Sequence, residues 1–243
     1  MSSKLIALVT GANKGLGFET SRQLAKMKIK VLMGARKESK GRTAAKKLQS
    51  EGLDVEFILL DITKSEHIKR VRKYIEEHFS KLDILVNNAG MVSPEEPLVS
   101  NSVETVSPKA LRQTFDVNFF GAVELTQALL PLIKKSGAGR IVNVSSILGS
   151  LAYQSEESND FKPFAYDASK TALNQFTIHL AAALKNTPIK VNSAHPGWVR
   201  TDMGGPDAPM DVTEGAKTAL RLATLGLKGP TGKFFHFNEE LPW

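Results

Sequence analysis

The chain has 243 residues, 42% of them hydrophobic, carries a formal net charge of +7 and contains no cysteine. Disulfides and thiolate metal sites are therefore excluded, and no stretch approaches the roughly 20 apolar residues of a membrane-spanning helix. The apolar run Leu5–Val9 is too short for a signal peptide and Glu240-Leu-Pro-Trp243 carries no targeting signal, so a cytoplasmic protein that engages no membrane is expected. The positive charge is local: residues 14–47 hold eleven Lys and Arg against Glu19 and Glu38. Without the interleaved aromatics of a base-stacking platform, this points to a small phosphorylated ligand and away from nucleic acid.

Lys4-Leu-Ile-Ala-Leu-Val9 reads as a strand buried on both faces that stops at Thr10-Gly11. Leu16, Thr20, Leu24 and Met27 follow helical spacing, and Lys30-Val-Leu-Met33 is a second strand. Ser39–Glu51 reads as a helix ended by Gly52, and Val55–Leu60 as a third strand closed by Asp61. Residues 65–79 set Ile68, Val71, Ile75 and Phe79 on one helical face before a fourth strand, Leu82–Val86. A loop from Ser93 to about Pro108 precedes a long helical region to about Ser136, then a fifth strand, Arg140–Ser145. Residues 149–163 read as an irregular polar connection. The next helix places Leu173, Phe176, Leu180 and Leu184 on one stripe, and Ile189–Ala194 is a sixth strand. Gly204–Pro209 reads as a mobile loop, 213–225 as a helix and Lys233–Phe237 as a last strand. The alternation predicts an α/β fold: one doubly wound Rossmann-type domain over 1–243, with about seven mostly parallel strands and helices on both faces.

Thr10-Gly-Ala-Asn-Lys-Gly-Leu-Gly17 lies where the first strand turns into the first helix. Glycines there let the backbone approach a pyrophosphate, which a helix N-terminus stabilises. The spacing is G-x-x-x-G-x-G, and no Gly-Lys-Ser/Thr follows to make a Walker loop. At the end of the second strand an NAD site places an acid for the ribose. Gly34-Ala-Arg-Lys37 stands there instead, so Arg36, with Lys14, suits a 2′-phosphate and NADP(H) is favoured. Asn87-Asn-Ala-Gly90 and Ser145-Ser146 end the fourth and fifth strands and open onto the same crevice, although either motif can also serve only loop backbone. Tyr166 and Lys170 are four residues apart and share a face if their stretch is helical. A phenol ordinarily titrates near ~10. A neighbouring ammonium favours its ionised form, which suits proton transfer near neutral pH.

These motifs, in order, resemble the short-chain dehydrogenase/reductase family over essentially the whole chain. Asn13-Lys-Gly-Leu-Gly17, Asn118-Phe-Phe-Gly121, Asn143-Val-Ser-Ser146 and Pro196-Gly-Trp-Val-Arg-Thr-Asp202 are similar to its carbonyl reductase branch. The resemblance implies NADPH-dependent reduction of a small-molecule ketone, aldehyde or quinone. It casts Tyr166 as proton donor, Lys170 as the group that lowers the phenol's pKa and bonds the nicotinamide ribose, and Ser146 as the group polarising the carbonyl. Asn118 would support a water linking Lys170 to solvent. Gly11, Asn13, Lys14, Gly15, Leu16, Gly17 and Arg36 would hold the cofactor phosphates. Asp61, Ile62, Asn88, Ala89 and Gly90 would hold its adenosine. Pro196, Gly197, Val199 and Thr201 would hold its carboxamide.

Only nineteen residues separate Ser146 from Tyr166. Monomeric vertebrate carbonyl reductases carry a long insertion there, so its absence implies a homodimer or homotetramer and a different substrate pocket. Ile147, Leu148, Trp198, Met203 and Met91 are apolar candidates for that pocket, and equally for core. His195 reads as structural, and no residues have metal-ligand spacing. Two other readings stand beside the reductase: an alcohol or hydroxysteroid dehydrogenase working oxidatively, and an NADP(H)-binding sensor without turnover.

Overall fold

The computed structural model describes residues 4–96, 103–156 and 162–243. Residues 97–102 of the Ser93–Pro108 loop, residues 157–161 of the polar connection and residues 1–3 lie outside the described residues. Eight described strands form one sheet in the order β3-β2-β1-β4-β5-β6-β7-β8. They are β1 Ile6–Thr10, β2 Lys30–Ala35, β3 Val55–Leu59, β4 Ile84–Asn87, β5 Arg140–Val144, β6 Lys190–Ala194, β7 Lys233–His236 and β8 Glu239–Glu240. The helices are α1 Gly15–Lys26, α2 Glu38–Ser50, α3 Ser65–Phe79, α4 Pro108–Phe115, α5 Gly121–Lys134, α6 Leu151–Gln154, α7 Phe164–Ala183 and α8 Val212–Ala223.

The first seven strands are parallel, as their unbroken apolar runs require. Strand alternation then separates two cores. Ala7 and Val9 pack with Leu24 of α1, Leu48 of α2 and Leu222 of α8 on one face. Ile6 and Leu8 pack with Ile75 of α3, Leu125 of α5 and Ala181 of α7 on the other. Each fully buried leucine contributes about 1.5–3 kcal/mol. The strand beyond the expected seven is β8, a two-residue antiparallel return on β7. Its residues, Glu239 and Glu240, carry no apolar alternation to announce a strand.

Sheet order reverses between β1 and β4, so a crevice opens past their carboxyl ends. The opposite rim is sealed by two buried charges. Asp83 accepts hydrogen bonds from the Ile6 amide (2.9 Å), Ser136 Oγ (2.6 Å) and Lys81 Nζ (2.9 Å). Arg140 donates to the carbonyls of Leu225 (2.8 Å), Gly139 (2.8 Å) and Pro188 (3.1 Å). The helical region after the β4 loop is not uniform: α4 and α5 are joined by a π-helical turn, Asp116–Phe120. The wider turn brings the Asn118 side chain inward, where it is 1% exposed.

Candidate active site

The glycine turn leaves β1 with positive φ at Gly11 (+65°) and Gly15 (+55°), which side-chain-bearing residues rarely adopt. Gly17 lies under Asn88: an added Cβ would stand 2.6 Å from the Gly11 carbonyl and would strike Asn88 Nδ2. Asn88 is fixed there by Thr10, whose carbonyl accepts from Asn88 Nδ2 (2.8 Å) and whose hydroxyl accepts from the amides of Asn88 and Ala89 (2.9 Å each). Asn87 faces the interior and donates to Thr126 Oγ1 (2.9 Å) and Asn143 Oδ1 (2.8 Å). The Asn pair thus divides into a structural residue and a crevice residue. Leu16, Asn88, Val144, Ala194 and Pro196 border one small cavity of about 10 Å³. The glycine turn and the ends of β4, β5 and β6 therefore converge as the sequence predicts.

Beside the glycine turn, Asn13, Lys14, Ser39, Lys40 and Thr43 line an open groove of about 390 Å³. Two cations and three hydroxyl or amide groups fit an esterified phosphate. Arg36, also exposed, leads into α2 three residues before Ser39. Ser39, Lys40 and Thr43 did not stand out in the sequence, although all three fall on the first turns of α2, directly after the strand end that flags the cofactor. Lys14 also forms an ion pair with Asp202, the last residue of the Pro196–Asp202 motif. Asp61 accepts from the amide (3.1 Å) and hydroxyl (2.8 Å) of Thr63, while the Ile62 side chain is core.

Ser146, at the end of β5, caps the 3₁₀ turn Ile147–Gly149, accepting from the Leu148 amide at 3.2 Å. It also lies close enough to the Tyr166 phenol to ease its ionisation. The Lys170 ammonium lies 5.6 Å from the centre of the tyrosine ring and donates to the Val144 carbonyl at 2.8 Å. Burial lowers its pKa from 10.5 to about 8. The phenol departs from the expectation of a lowered pKa. Burial pushes it up to about 12, with the Asp167 charge adding to the rise and Ser146 opposing it. Asn118 is fully engaged: its Oδ1 accepts from the Met91 amide (2.8 Å), and its Nδ2 donates to the Met91 carbonyl (2.9 Å) and Ser169 Oγ (3.0 Å). Among the described residues no group of His, Asp or Glu is placed to hold a metal.

The family model for short chain dehydrogenases matches residues 5–211. The chain is 34% identical to carbonyl reductase (NADPH) 1 of Mus musculus over 285 aligned positions, covering 100% of this chain and 99% of the relative. It superposes on salutaridine reductase from Papaver somniferum with a TM-score of 0.83 at 30% identity, covering 96% and 99% of the two chains. An NADPH-bound carbonyl reductase from chicken fatty liver gives 0.85 at 26% identity, with coverage of 99% and 100%. The chain belongs to the short-chain dehydrogenase family.

In this short-chain dehydrogenase, the segment after β6 borders the crevice at Pro196. Val199 is buried and bridges to Met210, and an added Cβ on Gly15 would touch Thr201 at 3.4 Å. The stretch expected to be mobile is tied down. Trp198 Nε1 donates to the Gly204 carbonyl (2.7 Å), and Arg200 Nη1 to those of Ala208 and Pro209 (2.8 Å each). With its indole N–H satisfied, Trp198 exposes 58% of its surface and Met203 exposes 40%, an apolar rim. His195 is structural as expected: its Nδ1 accepts from the Ile147 amide at 3.2 Å, and burial with the His236 charge lowers its pKa to about 3.

Asp167, next to the tyrosine, is 7% exposed and bonded by Gln154 Nε2 at 2.7 Å. Burial and the Glu96 charge raise its pKa from 3.8 to about 8, against a small opposing effect of Lys162. Between those values the native chain holds a proton that the unfolded chain has lost, so stability falls as pH rises from about 4 to about 8. Asp167→Asn carries no charge. The variant is expected to melt with the parent at acidic pH and several degrees above it at the alkaline end of that window, in parallel calorimetric scans. Equal melting at both ends would show that Asp167 ionises normally.

Proposed function

We propose that this enzyme uses NADPH to reduce the carbonyl of a ketone, aldehyde or quinone, with Tyr166 delivering the proton to the carbonyl oxygen. The observation that carries this reading is the phenol. Buried beside Ser146, with the Lys170 ammonium 5.6 Å from its ring and its pKa raised by burial, it is placed as a donor.

NADP(H) supplies the hydride when bound. Lys14, Arg36 and Lys40, with Asn13 and Ser39, hold its phosphates, and Gly11, Gly15, Leu16 and Gly17 offer backbone to the pyrophosphate. Asp61, the Ile62 backbone, Asn88, Ala89 and Gly90 hold the adenosine. Pro196, Gly197, Val199 and Thr201 orient the nicotinamide end. Ser146 donates to the carbonyl oxygen, so that oxygen receives hydrogen bonds from two hydroxyls as charge develops on it. Lys170 keeps its charge beside the phenol at neutral pH and anchors the ribose. Asn118, through its backbone carbonyl, holds the water that returns a proton. The rim of Ile147, Leu148, Trp198 and Met203 selects an apolar substrate body.

Incubation with NADPH and menadione, 4-nitrobenzaldehyde or cyclohexanone tests the reading through loss of NADPH absorbance. No turnover, or turnover that survives Tyr166→Phe, rejects it. Residues 1–243 act as one such domain, a reading supported by the continuous sheet. Phe115, Phe119 and the 56% exposed Phe120 form an aromatic cluster that supports pairing into dimers or tetramers. Sedimentation velocity should then give a mass of two or four chains, and a single-chain mass rejects assembly.

A further inference from the structure

The helix carrying Tyr166 begins without a cap of its own. Its N-cap residue is Pro163, which has no side chain able to accept a hydrogen bond. The helical ladder begins with the Asp167 amide, which donates to the Pro163 carbonyl at 2.9 Å and leaves the preceding amides open. The two before it are taken by a residue far away in sequence. Glu96 Oε1 accepts from the Ala165 amide at 2.6 Å, and Oε2 from the Tyr166 amide at 3.2 Å. Glu96 is 2% exposed, and Ala165 is fully buried.

A carboxylate is the favoured charge at a helix N-terminus. Two bonds from one rigid group also fix the position and the twist of the backbone they meet. Glu96 is itself fixed. Its amide donates to the Ser93 carbonyl at 2.9 Å, and the same segment is clamped at Met91 by Asn118, which also bonds Ser169 of α7. The chain after β4 thus grips α7 on both sides of Tyr166. Asp167, the other carboxyl in this first turn, points to Gln154 of α6 and takes neither amide.

We infer that Glu96 is a positioning residue for Tyr166, capping the catalytic helix from a distance so that the phenol meets Ser146 and the substrate carbonyl in register. The inference rests on the reading of Tyr166 as proton donor. A misplacement of about 1 Å at a reacting group can cost about 10²-fold in rate. Glu96 touches neither phenol nor cofactor groove, so its loss acts on turnover and leaves NADPH affinity alone.

The test uses Glu96→Ala and Glu96→Gln in the full chain, each alone and with Tyr166→Phe, under single-turnover conditions with 4-nitrobenzaldehyde. The alanine variant removes both acceptors. The glutamine variant keeps one and confronts the other amide with an NH₂ group, and it carries the test if the alanine variant does not fold. Turnover is expected to fall about 10²-fold in Glu96→Ala and about 10-fold in Glu96→Gln, with NADPH affinity within about twofold of the parent by fluorescence titration. In the Tyr166→Phe background neither change is expected to slow the residual reaction further. Parent-like turnover in both single variants overturns the inference, and so does an equal loss in both backgrounds, which marks general loosening. If Tyr166→Phe alone keeps full turnover, the donor reading falls and the inference falls with it.

Discussion

Tyr166→Phe is expected to lower turnover by about 10²–10⁴-fold while leaving NADPH affinity near that of the parent. The substitution removes one oxygen and keeps the ring, whose centre lies 5.6 Å from the Lys170 ammonium, so α7 has no reason to shift. What disappears is the phenol beside Ser146, and with it the proposed acid for the developing alkoxide. Water must then deliver the proton, without preorganisation. The comparison that decides is single-turnover hydride transfer against equilibrium NADPH binding. Loss of binding in proportion to rate would assign Tyr166 to holding the cofactor rather than to the chemistry.

The second large effect concerns the choice between cofactors that differ by one phosphate. Arg36→Ala and Lys40→Ala are each expected to weaken NADPH binding by about 10–100-fold, the loss of one charge-assisted contact, and to leave NADH binding almost unchanged. Lys14 is a poorer choice for this test because Asp202 already holds its ammonium, so the phosphate has to displace a carboxylate there. Calorimetric titration of each variant with both cofactors reads the result. Equal losses for NADPH and NADH would show that the residue contacts something common to both.

Much of this site was legible because its residues sit at strand ends, and strands announce themselves by apolar runs. Once Lys4–Val9 and Arg140–Ser145 are read as strands, Gly11 and Ser146 must lie at one rim. The less legible features depend on distance. Glu96 caps a helix that begins about seventy residues later, and no local pattern links the two. The π turn at Asn118 is hidden because Asp116–Phe120 lies between two stretches of ordinary helical spacing. The rise of the Tyr166 pKa was missed for a related reason. Spacing shows that an ammonium is near, whereas the burial that outweighs it comes from the whole fold. Gly204–Pro209 has the composition of a loose loop, and it is the Arg200 guanidinium and the Trp198 indole that restrain it.

Asp83 and Arg140 lie at one rim of the sheet, and every residue assigned to chemistry lies at the other. The two rims share strands but no side chains. Changes that retune the reaction, in the loops after β4, β5 and β6, therefore leave the buried ionic seal on the far side intact. A fold divided in this way can acquire new substrates through its loops while the buried charges at the far rim stay unaltered, which makes the substrate rim the natural target for directed evolution.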